Sequence, residues 1–103
     1  MIRDFFLGFI KIHILHHASK EPVYGLWLME ELGSHGYKLS PGTLYPILHR
    51  LEEEKLLKVH AENVNGKKRK YYTTTSKGSK VLSKIKLQMN ELIKEVTEDE
   101  ANP

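Results

Sequence analysis

The sequence predicts a mainly α-helical fold that carries one small β-hairpin. Three observations predict it. Apolar residues recur at helical spacing up to about residue 57 and again after residue 75. Between them, the run KVHAENVNGKKRKYYTTT places β-branched and aromatic residues on both sides of an Asn65-Gly66 pair, which is typical of a two-residue hairpin turn. Three helices, a hairpin and a final long helix are the layout of a winged helix-turn-helix with an appended helix.

The composition fits one small domain, or one domain with an appended element. The chain has 103 residues, of which 40% are hydrophobic, so it can bury a modest core. Its 16 basic and 13 acidic residues give a net charge of only +3, so any nucleic-acid binding must depend on where the positive charges lie. The absence of cysteine excludes disulfides, thiol chemistry and cysteine-ligated metals. The apolar opening, FFLGFIKIHIL, is too short and too interrupted for a membrane span or a signal peptide, so we expect a cytoplasmic protein.

The first two predicted helices cover residues 5–17 and 23–35. The first is apolar on nearly every face, so we expect its own domain to cover one side and a partner to cover the other. Pro22 separates the two helices, because a proline disfavours helical backbone at the residue before it. The second helix repeats apolar side chains every four residues and reaches a pair of glycines that is typical of helix ends.

The third helix is predicted to begin at Ser40, a good N-cap, with Pro41 at its first position. Helical spacing assigns four residues to the core: Leu44, Ile47, Leu48 and Leu51. The first two turns of the opposite face are small, rigid or hydrogen-bonding and carry no acid, so the positive end of the helix dipole can approach phosphates. DNA contacts are therefore predicted at Ser40, Gly42, Thr43, Tyr45, Pro46, His49 and Arg50.

Pro46 is an unusual residue inside this helix. It removes the hydrogen bond to the Gly42 carbonyl, which costs about 3 kcal/mol in an ordinary helix interior. One interpretation is a bend that helps seat the helix end in a major groove, with the proline ring against thymine methyl groups. The other interpretation is a harmless kink on a solvated face.

The predicted hairpin turn is strongly basic, and no acidic residue occurs from Asn63 to Thr75. Taken alone, such a turn is typical of a solvated loop; next to a helix-turn-helix it favours contacts to DNA phosphates or a minor groove. The four cations assigned to this role are Lys67, Lys68, Arg69 and Lys70. Tyr71 and Tyr72 point to opposite faces of their strand, so one of them is expected in the core.

The last helix carries apolar residues at alternating spacings of three and four, which is typical of a coiled-coil seam. About two heptads are too few for an isolated dimer, so we predict a homodimer interface built from both terminal helices. The residues assigned to it are Phe5, Phe6, Phe9, Leu82, Ile85, Met89, Leu92 and Val96. The predicted organisation is a DNA-binding domain over 1–75, a dimerisation helix over 76–97 and an acidic tail over 98–103.

Three stretches, taken in this order, resemble the PadR family of transcriptional regulators. They are the Tyr24-Gly25 pair, GTLYPILHRLEEEKLL and RKYYTTTSKGSKVL, and the resemblance runs from about residue 10 to 82. It implies a dimeric winged-helix protein that binds DNA, usually a repressor that leaves its operator when a small effector binds. By position, the start of the third helix matches the family's recognition helix, and the four cations match its basic wing. The length and single C-terminal helix resemble the short subgroup.

Two departures from the family pattern have structural consequences. Lys55 stands where the family commonly has glycine, so either Lys55 adopts a left-handed conformation or the helix ends differently. Some short members hold flat aromatic drugs between tryptophans of their C-terminal helices. The last helix here has no aromatic residue, so that binding mode is not supported.

Two further groups of residues have open interpretations. Trp27 and Leu26 lie away from the main apolar face of the second helix, and they either line an effector cavity at the dimer interface or simply pack on a neighbouring helix. His13, His16 and His17 share one face of the first helix. Zinc sites need three or four ligands, and no carboxylate is evident nearby, so they are expected to be ordinary histidines and no metal or cofactor is predicted.

The favoured function is a homodimeric repressor that binds a pseudo-palindromic operator in double-stranded DNA and responds to a small aromatic effector. The alternative is a winged-helix adaptor for protein–protein interaction, with Trp27 and Leu26 as its binding patch. An enzyme is not expected, because no nucleophile–base pair or phosphate-cradling loop occurs in the sequence.

Overall fold

A computed structural model describes the backbone of residues 1–101 and the side chains of residues 1–98. The predicted order of elements and the mainly α fold class are confirmed. The elements are α1 (Ile2–Lys20), α2 (Gly25–Ser34), α3 (Pro41–Glu53), β1 (Leu57–Val64), β2 (Lys67–Thr74) and α4 (Ser76–Ala101). α4 continues through residues 98–101, where a separate acidic tail was predicted. No helix in the described part of the chain is long and apolar enough to cross a membrane.

The core lies where α1, α2 and α3 pack together above the hairpin. All four predicted core residues of α3 are buried, as the helical spacing predicted: Leu44, Ile47, Leu48 and Leu51. α1 contributes Ile10, Ile14 and Leu15, and α2 contributes Leu28 and Leu32. Of the two adjacent tyrosines in β2, Tyr72 is the buried one, with 1% of its surface exposed.

The hairpin, called the wing here, has the predicted turn. Val64 pairs with Lys67, and Asn65 and Gly66 between them have φ values of 53° and 79°. Two consecutive left-handed residues make the turn whose twist matches that of the strands. The base of the wing is joined to the segment before α2, because Val23 and Tyr72 exchange backbone hydrogen bonds of 3.0 and 2.7 Å.

α3 ends at Glu53, and Lys55, the residue after the C-cap Glu54, has a φ of 62°. Its N–H donates to the Glu52 carbonyl and the N–H of Leu56 donates to the Leu51 carbonyl, both at 2.9 Å. This pair of bonds is the Schellman ending that helices usually complete with glycine. Of the two predicted alternatives, Lys55 therefore takes the left-handed conformation.

The first turns of α4 belong to the core of the winged helix. A Cβ atom at Gly78 would overlap the Leu56 carbonyl and lie 2.7 Å from the Thr74 methyl, so the helix can approach this closely only with glycine there. Leu82 is 4% exposed and packs into the core of its own chain. Its assignment to the dimer interface is therefore wrong, because it offers no surface to a second copy.

Candidate nucleic-acid interface

The predicted DNA-contacting face of α3 lies on the surface. Each of its assigned residues is exposed, opposite the buried face of the same helix. α3 remains a single α-helix through Pro46, so the proline does not end it. No acidic residue occurs in the first turn of α3. Arg50 is exposed, and its Nε lies 3.5 Å from Oε1 of Glu54, one turn further on.

Two hydroxyl groups lie side by side at the start of α3. Ser40 occupies the predicted N-cap position with an extended backbone, and its carbonyl accepts hydrogen bonds of 3.0 Å from the N–H groups of Thr43 and Leu44. Contrary to the prediction, its side chain makes no capping hydrogen bond to the helix. Instead the Ser40 Oγ lies 3.3 Å from the Thr43 Oγ1, and both residues face solvent.

Tyr45 joins α3 to the start of α2. Its hydroxyl packs against Gly25, where an added Cβ atom would overlap that hydroxyl and lie 2.8 Å from the ring carbon Cζ. This contact gives a physical reason for glycine in the Tyr24-Gly25 pair. Tyr45 is 38% exposed, so the ring serves packing while part of it remains at the surface.

The four cations of the wing do not have equal surroundings. Lys67, Lys68 and Lys70 are exposed, whereas Arg69 is half-buried. Its guanidinium carbon lies 4.1 Å from the centre of the Tyr24 ring, and its Nη1 lies 3.5 Å from the Tyr71 hydroxyl. Arg69 thus attaches the wing to the start of α2 by a cation–π contact. No sequence pattern indicated this contact, because α2 and α3 separate Tyr24 from the wing along the chain.

A groove of about 720 Å³ lies between the wing and the helices. Tyr45 and His49 line it from α3, and the wing lines it with the run from Lys67 to Lys70. The structure therefore brings the predicted helix and the predicted basic turn to one surface. Leu26 also lines this groove. Trp27 instead packs against His17 of α1, with ring centres 5.3 Å apart, so the two residues predicted to share one cavity have different neighbours.

The terminal helices carry a second, apolar surface. A groove of about 430 Å³ between α1 and α4 is lined by Phe5, Phe9, Ile12, Met89, Leu92 and Ile93, among others. Phe5 is 62% exposed and Leu92 is 60% exposed, and Phe6 and Val96 are also exposed. Met89 is half-buried, and so is Ile85, one helical turn earlier.

An exposed helix start beside a basic wing, on three core helices, defines the chain as a winged-helix protein with a DNA-binding fold. The chain belongs to the PadR-like family of transcriptional regulators, whose family model matches residues 14–84. It is therefore a transcriptional regulator and not an enzyme.

Individual relatives support this assignment. The chain is 44% identical to the transcriptional regulator Rv3488 of Mycobacterium tuberculosis, over 92% of this chain and 89% of that protein. Its structure is similar to that of a PadR family transcriptional regulator from Eggerthella lenta, with a TM-score of 0.82 and 33% identity over all of this chain and 91% of that one. A PadR-like transcriptional regulator from Bacillus cereus gives a TM-score of 0.77 and 34% identity, covering 93% of this chain and 94% of its own.

Proposed function

We propose that the chain is a cytoplasmic, homodimeric repressor that binds a pseudo-palindromic operator in double-stranded DNA. The observation that carries the proposal is the shared surface of the α3 start and the wing, because helix-turn-helix proteins read bases with the start of this helix. A flat or acidic surface in this place would not accept a duplex. Here the surface is concave, and three exposed lysines lie at its edge.

The contacts divide into two kinds. Lys67, Lys68 and Lys70 bind phosphates, which supplies affinity for any duplex and a dependence on salt. The hydroxyls of Ser40 and Thr43 add phosphate contacts at the helix start. Base contacts come from polar groups one and two turns further on and from apolar contact with thymine methyls. The residues assigned to base contacts are His49, Arg50 and Pro46.

Assembly as a dimer is supported by the apolar surface of the terminal helices. Exposed aromatic and aliphatic side chains at both helices form one contiguous region, which is costly to leave in water. A second copy related by a two-fold axis covers this region and places two α3 helices on one side of the dimer. The half-sites are then separated by about one or two turns of DNA.

The proposed effector is a small aromatic molecule. The described part of α4 has no aromatic side chain to sandwich a flat ligand. Leu26 is exposed in the wing groove, next to Tyr45 and His49. A small aromatic molecule bound there competes directly with DNA, which is how the repressor releases its operator.

The test is selection of bound fragments from the source genome with purified protein, followed by gel shifts on the selected fragments and on the gene's own upstream region. We expect a discrete shifted band that persists in excess nonspecific DNA. The adaptor hypothesis predicts no selected fragments and no preference over random duplex, and that result would reject the DNA-binding proposal. Small aromatic compounds are then screened for loss of the shifted band.

A further inference from the structure

Two histidines of α1 and one at the end of α2 come together on the face of the molecule where these two helices pack. One ring nitrogen of each lies within 4.8 Å of the corresponding nitrogens of the other two, and the residues are His13, His17 and His35. A carboxylate, Glu31, lies among them. We propose that these four side chains form a binding site for a divalent transition-metal ion of the zinc class.

The site is built from two pairs with helical spacing. His13 and His17 lie four residues apart on α1, and Glu31 and His35 lie four residues apart at the end of α2, so each pair shares one helix face. The pairs face each other across the helix packing. Glu31 Oε1 lies 3.5 Å from His17 Nε2 and 3.2 Å from His35 Nε2. The ring centres of His13 and His35 are 5.0 Å apart.

Three imidazole nitrogens and one carboxylate oxygen are the number and type of ligands that tetrahedral zinc takes. In such a site, neighbouring ligand atoms lie about 3.3 Å apart, as bond lengths of roughly 2.0 Å require. The nitrogen–nitrogen separations of the cluster are at most 4.8 Å, so they exceed this by no more than about 1.5 Å. Small rotations of exposed or half-buried side chains close that difference, because none of the four residues is fully buried.

The chemistry of the cluster also fits a cation. Imidazole rings bind metal ions in their neutral form. Three neutral imidazoles and one carboxylate leave a dication only partly neutralised, which is common in zinc sites. Imidazole ligands favour zinc, copper, nickel and cobalt over magnesium or calcium, which prefer oxygen. The exposed ring of His35 leaves a path for the ion.

The sequence grouped a different set of histidines and predicted no metal site. His13, His16 and His17 were grouped by their spacing, and no carboxylate was found nearby. The structure groups them differently: His35, and not His16, lies with His13 and His17, and the Glu31 carboxylate lies beside His17 and His35. His16 is not one of the three clustered histidines, although its ring centre lies 5.2 Å from that of His17. Burial lowers the pKa of His16, and the neighbouring His17 and Lys86 lower it further. It is therefore a matched control, being a half-buried histidine on the same helix but outside the cluster.

Trp27 provides a direct readout. It is the only tryptophan of the chain, and its ring centre lies 5.3 Å from that of His17. A paramagnetic ion bound at the cluster quenches its fluorescence at this short range, whereas an ion bound elsewhere on the surface does not. The measurement needs no DNA, so its outcome is independent of the proposed repressor function.

The experiment titrates the full chain, freed of any polyhistidine tag and treated with chelator, with Co²⁺. We expect saturable quenching of Trp27 at one ion per chain, a visible absorption band typical of tetrahedral cobalt, and displacement by Zn²⁺ but not by Mg²⁺. His35→Gln and His13→Gln should each weaken Co²⁺ binding at least tenfold, whereas His16→Gln should leave it unchanged. Glu31→Gln provides a fourth variant if a histidine variant does not fold, as judged by circular dichroism.

Three results would overturn the proposal. They are the absence of saturable binding to the native chain, binding that His35→Gln and Glu31→Gln leave intact, and an equal loss in His16→Gln. A rise in Tm with Zn²⁺, present in the native chain and in His16→Gln but lost in His35→Gln, gives an independent check, because an ion that binds the folded state stabilises it.

Discussion

The wing side and the terminal-helix side of the molecule differ in how their surface residues are held. On the wing side, the chain positions its own exposed groups: Arg69 lies over Tyr24, and Tyr45 packs on Gly25. On the other side, the Phe5 ring packs edge-on against Phe9 of its own helix, yet Phe5 and Leu92 remain largely exposed. One chain alone holds the residues of the first surface in place, whereas it leaves the apolar residues of the second surface uncovered. Substitutions on the wing side should therefore alter DNA binding directly, and those on the terminal helices should alter assembly first.

The largest effect is expected from Leu92→Glu, which tests the open side. In a symmetric dimer each copy loses the burial of one leucine, about 2 kcal/mol, so dimerisation should weaken by about 4 kcal/mol, roughly a thousandfold. Operator binding should fall with it, because a monomer loses the gain from binding two half-sites together. Sedimentation gives the assembly state and fluorescence anisotropy gives the affinity for DNA.

Leu87→Glu is the matched control for this change. Leu87 is on the same helix and is 67% exposed, close to the 60% of Leu92, but it lies off the seam. It should leave the dimer intact. If both variants dissociate equally, the seam is wrongly assigned; if neither does, the open side does not hold two copies together.

The second prediction concerns the packing that completes the wing side. Gly25→Ala places a methyl group on the Tyr45 hydroxyl, and overpacking of this kind costs about 1–3 kcal/mol. Tyr45→Phe in the same chain removes the overlapping oxygen and should recover part of the loss. The free energy of unfolding in urea, measured for both single variants and the double variant, isolates the coupling between them.

Gly33→Ala serves as the control for that cycle. Gly33 is also in α2, and nothing lies within 4 Å of a Cβ atom added there. Because alanine has the higher helix propensity, this change should stabilise the protein by up to about 1 kcal/mol. A loss in Gly33→Ala as large as that in Gly25→Ala would show that the Tyr45 contact is not the cause.

The third prediction separates the free lysines of the wing from its anchored arginine. Lys68→Ala should weaken binding to every duplex several-fold and lower the slope of log affinity against log salt by about one, with stability unchanged. Arg69→Ala should also lower the free energy of unfolding, because it removes the contact with Tyr24. Lys94→Ala, towards the far end of α4, controls for the loss of one charge.

An unchanged salt slope in Lys68→Ala would remove the wing from the DNA interface. Equal stability of Lys68→Ala and Arg69→Ala would instead show that the four cations are equivalent, as the sequence had suggested.

The sequence predicted what depends on local patterns, and it failed where distant parts of the chain meet. The buried face of α3, the Asn65-Gly66 turn and the exposed start of α3 follow from spacing and residue type alone. The anchoring of Arg69 and the burial of Leu82 do not, because each depends on packing between separate elements. Leu82 has the spacing of the seam, but α4 approaches Leu56 and Thr74 closely at Gly78, and this approach directs Leu82 towards the core.

The ending of α3 is the point at which the sequence left two alternatives, and it gives the smallest predicted effect. Lys55 has a φ of 62°, a conformation that costs a residue with a Cβ atom about 1 kcal/mol relative to glycine. Lys55→Gly should therefore raise the free energy of unfolding by up to about 1 kcal/mol, as measured in urea. Lys55→Ala removes the same side-chain charge but keeps the Cβ atom, so it should give no such gain. Lys55 lies beyond the end of α3 that is opposite the proposed DNA contacts. If Lys55→Gly is more stable but assembles as before, its affinity for DNA shows how far that affinity depends on stability alone. If Lys55→Ala stabilises as much as Lys55→Gly, the gain comes from the lost charge, and the left-handed backbone carries no measurable strain.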